Sequence, residues 1–91
     1  MSFEKNVIIK NKTGLHARPA SQFVQKAGEF KSDIKIAFEG KEVNAKSIMG
    51  VMSLGISQGK EITLKADGED ENEALKELEN FIEIEIAKED E

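Results

Sequence analysis

The chain has 91 residues, 38% of them hydrophobic and 34% charged, with no cysteine and a formal net charge of −5. That balance describes one small globular domain over residues 1–91, and it excludes a disulfide framework, a thiolate metal site and a disordered polyelectrolyte. No apolar stretch approaches the roughly 20 residues that span a bilayer. Met1-Ser2-Phe3-Glu4-Lys5 lacks the apolar run of a secretion signal, so the expected compartment is the cytoplasm. The charge is unevenly spread. Residues 69–91 hold eleven acidic side chains against Lys76 and Lys88, whereas residues 1–68 hold eleven basic against seven acidic. A mildly basic body suits an acidic protein partner or a phosphorylated ligand. With no basic cluster, no Trp and no Tyr, direct nucleic-acid binding is not expected.

The first strand is expected over Phe3 to Lys10. Its Val7-Ile8-Ile9 run does not alternate cleanly, which predicts a strand buried on both sides or central in a sheet. Asn11-Lys12-Thr13-Gly14 is a turn. Ala20, Phe23, Val24 and Ala27 then recur at helical spacing, predicting a helix over Ala17–Ala27 with Gly28 beyond its end. Ser32 to Phe38 alternates, with Ile34, Ile36 and Phe38 on one face. Glu39-Gly40 is a two-residue hairpin signal, and Lys41 to Val43 or Asn44 is the return strand.

Ser47 is a good N-cap for a short second helix that ends before Gly55. Ile48, Met49, Val51, Met52 and Leu54 are too many apolar residues for one face of so short a helix. Some of Ile48, Met49 and Met52 should therefore face outward as an adaptable protein-binding patch. Lys60 to Ala66 is the fourth strand, turned by Asp67-Gly68. A third helix opens at Asp70, with Asp70 as cap and Glu73 answering it in a capping box. Ala74, Leu75, Leu78, Phe81 and Ile82 face the core. Ile82-Glu83-Ile84-Glu85-Ile86 then alternates with period two, so the helix is expected to fray near Ile84 and the last few residues to be mobile. Strand, helix, strand, strand, helix, strand, helix predicts an α+β fold: an antiparallel four-stranded sheet with helices on one face.

The chemistry concentrates at Gly14-Leu15-His16-Ala17-Arg18-Pro19-Ala20, which holds the only histidine, arginine and proline. Proline is tolerated only in the first turn of a helix, so the first helix starts within about two residues of His16. A helix start offers unpaired N–H groups and a partial positive charge, which bind phosphate-like anions. Arg18 adds charge-assisted donors. Imidazole is a nucleophile near neutral pH. A neutral His16 facing such an anion site can accept a phosphoryl group.

That heptapeptide, together with Lys46-Ser47-Ile48-Met49-Gly50-Val51-Met52-Ser53-Leu54-Gly55, resembles the two signatures of the HPr family. HPr is the histidine-containing phosphocarrier of the bacterial sugar phosphotransferase system. Length and element order agree with it over nearly the whole chain. The resemblance implies an open-faced two-layer sandwich with sheet order 1-4-2-3 and three helices on one face. It implies a carrier rather than an enzyme. Enzyme I, charged by phosphoenolpyruvate, would phosphorylate His16 on Nδ1, and the group would pass to enzyme IIA domains. Arg18 would steady the phosphoryl group with help from the Ala17 backbone N–H. Ser47 would be the regulatory serine modified by HPr kinase/phosphorylase in carbon catabolite control, whose phosphorylated form binds a catabolite control repressor. Ile48, Met49 and Met52 would dock partners. No cofactor and no metal are implied, and the protein would be a monomer away from membranes. The resemblance leaves one alternative: a purely regulatory module acting through phosphorylated Ser47 on a transcriptional repressor, with His16 idle. A regulatory paralogue in the family lacks the histidine; this chain has it. A stand-alone hydrolase or metalloenzyme finds little support in a chain with one His and no Cys.

Overall fold

A computed structural model describes residues 2–89. The elements are β1 (Ser2–Ile8), α1 (Ala17–Ala27), β2 (Asp33–Phe38), β3 (Lys41–Asn44), α2 (Ile48–Ser53), β4 (Glu61–Asp67) and α3 (Glu71–Asn80). The four strands form one antiparallel sheet in the order β1-β4-β2-β3. The expected fold class is therefore the one observed.

Alternation decides which way the sheet faces. Ile34, Ile36 and Phe38 on β2 are buried, as are Ile62, Leu64 and Ala66 on β4. Register aligns them across the strands, with Ile36 opposite Leu64, Ile34 opposite Ala66 and Val7 opposite Ile62. Phe23 of α1, Val51 of α2, and Leu78 of α3 close the core over this face. The other face is polar; there Lys65 Nζ lies 2.7 Å from a carboxylate oxygen of Glu42. The β2–β3 hairpin turns through Glu39 (φ 48°) and Gly40 (φ 84°). Two consecutive positive φ values match the right-handed twist of the strands they join.

Three expectations need correction. First, β1 is an edge strand rather than a central one, because it pairs only with β4. Val7 and Ile9 are buried but Ile8 is 38% exposed, so the Val-Ile-Ile run alternates after all. The edge is blunted by the C-terminal helical segment. The Ile8 N–H donates to Glu83 Oε2 at 3.5 Å, and Lys5 pairs with Glu79 at 3.0 Å.

Second, Asp70 flanks α3 but makes no side-chain cap bond to it. Its carboxylate accepts from Ser32 Oγ at 2.5 Å and from the N–H groups of Lys31 and Ser32 at 2.9 Å each. The α1–β2 loop offers three donors at once, which outcompete the local N–H groups of α3. The Ser32 hydroxyl, then the Lys31 N–H, hold the Asp70 pKa down to about 2. A depressed carboxylate pKa contributes stability that is present above the unfolded value near 3.8 and is lost as pH falls through about 2. Asp70→Ala is expected to lower the urea midpoint at pH 5. The gap from the parent should close between about pH 4 and pH 2, which parallel urea titrations would show.

Third, the chain does not fray at Ile84. It continues from α3 as a wide, π-helical segment over Phe81–Ile86 and a last turn over Ala87–Glu89. Ile82 and Ile86 are buried while Ile84 is 57% exposed. The mobile end expected at the terminus falls on Asp90 and Glu91, which lie outside the described residues.

Candidate functional site

The loop before α1 is built tightly. The Asn11 amide donates to the Gly14 carbonyl at 2.8 Å, and the Gly14 N–H returns to the Asn11 carbonyl at 3.2 Å. Gly14 has φ +70°, and a Cβ there would lie 2.2 Å from the Ile56 carbonyl oxygen. Only glycine permits that approach. The Leu15 N–H then donates to the same Ile56 oxygen at 3.0 Å, and the Leu15 side chain is fully buried. This anchor delivers the next residue, His16, to the surface.

His16 is the N-cap residue of α1, with extended backbone (φ −124°, ψ 156°) and no capping bond from its side chain. Its imidazole is thus not consumed by the helix it precedes. Ala17 follows with φ +44°, a left-handed conformation that costs a non-glycine residue about 1–2 kcal/mol. Arg18 and Pro19 complete the first turn, where proline's missing N–H is no loss. The N–H groups of Ala17 and Arg18 belong to the first turn and have no intrahelical acceptor by construction.

His16, Ala17, Arg18 and Pro19 line an open depression of about 380 Å³, together with Thr13, Gln22 and Ile86. An exposed imidazole, an exposed guanidinium and a helix start thus share one concave surface, the donor types that bind an anion beside a group able to act as a nucleophile. Half enclosure suits transient holding: a group can be received, steadied and released. Thr13 and Gln22 were not legible from sequence as parts of this wall. Ile86 was missed because its stretch alternates like a strand, although Leu78, Ile82 and Ile86 recur every four residues.

Ser47 lies elsewhere, at the start of α2. It is the N-cap residue, and its Oγ accepts from the Gly50 N–H at 3.1 Å. Ile48, Met49 and Met52 are exposed by 37%, 80% and 40%, while Val51 is buried. These residues do not line the His16 depression; α2 packs against α1. Among the described residues, no cluster of His, Asp and Glu could hold a metal ion, and no helix is long and apolar enough to cross a membrane.

Residues 3–84 match the family model described as the PTS HPr component phosphorylation site. The chain is 53% identical to the HPr-like protein Crh of Bacillus subtilis, over 91% of this chain and 98% of that protein. Among solved structures, HPr from Thermoanaerobacter tengcongensis superposes with a TM-score of 0.89 at 56% identity, covering 92% of this chain and 94% of that one. The phosphocarrier protein HPr from Bacillus anthracis superposes with a TM-score of 0.88 at 49% identity, covering 90% and 98%.

Proposed function

Because the chain belongs to the HPr family, we propose that it is a phosphocarrier of the sugar phosphotransferase system, with His16 as the phosphoryl acceptor. The observation that carries this reading is the free imidazole of His16 beside Arg18 and the first-turn N–H groups of α1. His16 attacks phosphorus through Nδ1. The P–N bond forms as the bond between phosphorus and its carrier group on charged enzyme I breaks, and the imidazole proton passes to solvent. Arg18 and the Ala17 N–H receive the phosphoryl oxygens, and the next acceptor, a IIA domain, reverses the step. A phosphoramidate at an exposed site keeps the group reactive, as a carrier requires. The similarity to the B. anthracis phosphocarrier supports the same reading. The test is a reconstituted relay of phosphoenolpyruvate, enzyme I, this protein and a IIA domain. Labelled phosphoryl should reach the IIA domain only when this protein is present; a IIA domain left unlabelled would count against the carrier role.

The similarity to Crh, an HPr-like protein, favours a second, compatible role in regulation. Here Ser47 would be the residue modified by an HPr kinase/phosphorylase, and Ile48, Met49 and Met52 the surface that meets enzyme I, IIA domains or a catabolite control repressor. Ser47 caps α2, so an added phosphate is met by the helix dipole and α2 need not unfold. The charge would act instead on docking beside Ile48 and Met52. Ser47→Asp is expected to keep stability within about 0.5 kcal/mol, since Asp caps as well as Ser. It should slow phosphoryl uptake from enzyme I roughly tenfold at low salt, the size of one like-charge contact. The slowing should shrink at high salt. Uptake rates at two ionic strengths check this; equal rates for both proteins throughout would remove the electrostatic account.

A further inference from the structure

The C-terminal segment does something that the matched family region does not explain. The family match ends at residue 84, yet Ile86 lines the His16 depression and is only 1% exposed. Ile86 follows Ile82 by four residues and Leu75 by eleven, spacings that at 3.6 residues per turn keep it on the apolar inner stripe. The π-helical turn over Phe81–Ile86 widens the chain without breaking that stripe, and Leu78, Ile82 and Ile86 form one buried row. The row ends at the pocket. Ile84, two residues earlier, is exposed and does not line the depression.

We propose that Ile86 is a positioning residue that forms the apolar wall of the phosphohistidine site and limits the access of water to it. This rests on His16 as the phosphoryl acceptor. In the unwanted reaction, water attacks phosphorus, the P–N bond breaks and inorganic phosphate leaves. The imidazole departs with its electron pair and is protonated by solvent. A branched apolar side chain in the wall of the same depression occupies space that water needs and offers it no hydrogen bond. Ile86 therefore sets the lifetime of the carried group without touching the transfer chemistry.

The experiment loads the whole protein with potassium phosphoramidate, which phosphorylates imidazole directly with release of ammonia and needs no enzyme I. Loss of phosphohistidine is then followed by phosphorus NMR at pH 7. Ile86→Ala is expected to shorten the half-life several-fold, and Ile86→Val to give a smaller shortening in the same direction. Ile62→Val removes the same methylene from the core on β4, away from the pocket, and should leave the half-life unchanged. If Ile86→Ala does not fold, the two valine variants decide the matter. Equal half-lives for Ile86→Val, Ile62→Val and the parent would overturn the wall, and so would equal shortening by both valines. Neither result bears on the carrier role, which fails separately if enzyme I and phosphoenolpyruvate do not charge the parent protein.

Discussion

Gly14→Ala is expected to remove a large share of the domain's stability. Two costs add at this position. The backbone is left-handed (φ +70°), which charges alanine about 1–2 kcal/mol. The new Cβ would also sit 2.2 Å from the Ile56 carbonyl oxygen and 2.9 Å from Ser57 Cα, both backbone atoms that no side-chain rotation can clear. Overpacking of this kind typically costs a further 1–3 kcal/mol. The total, about 2–5 kcal/mol, is a large share of the roughly 5–15 kcal/mol available to a small domain. It corresponds to a fall in Tm of about 8–40 °C for a chain of this size. The loss has a functional side. The displaced segment carries the Leu15 N–H bond to Ile56, which seats His16. Molecules that remain folded should therefore take up phosphoryl more slowly as well. Thermal melts and uptake rates on the same preparation check both effects. Gly55→Ala is the internal control. Its φ is also positive, at +60°, but a Cβ there meets nothing within 4 Å, so only the conformational cost applies.

His16→Ala should abolish phosphoryl uptake outright while leaving the fold intact. The imidazole is exposed and makes no cap bond, so its removal deletes a nucleophile and almost no packing. Arg18→Ala tests the other half of the site. Arg18 is exposed, and its charge is partly screened by water. Its loss is expected to slow uptake by about tenfold or more without abolishing it, since the helix-start N–H groups remain. The contrast between complete loss at His16 and partial loss at Arg18 separates nucleophile from anion stabiliser. Similar partial losses at both positions would place the acceptor elsewhere.

Much of this was legible in the chain. Helix α1 begins and ends where Pro19 and the Ala20–Ala27 spacing put it, because proline and a clean 3.6 period are both local signals. Ser47 caps α2, and Glu39-Gly40 turns the hairpin, for equally local reasons. Two of the misreadings involve partners distant in sequence. Nothing in Val7-Ile8-Ile9 tells how many strands flank it. Asp70 chose between the N–H groups of its own helix and those of residues 31 and 32, and only the folded chain brings the second set near. The Ile/Glu alternation after Phe81 hid a helical signal, the four-residue spacing of Leu78, Ile82 and Ile86, and that spacing is what places Ile86 at the site.

The most direct measurement is the intact mass of the protein after incubation with phosphoenolpyruvate and a bacterial enzyme I, beside His16→Ala and before and after brief acid treatment. The predicted result is a gain of one phosphoryl group that acid removes and that the variant never acquires. A gain that persists in His16→Ala, or no gain while a known HPr is charged in the same mixture, would contradict it.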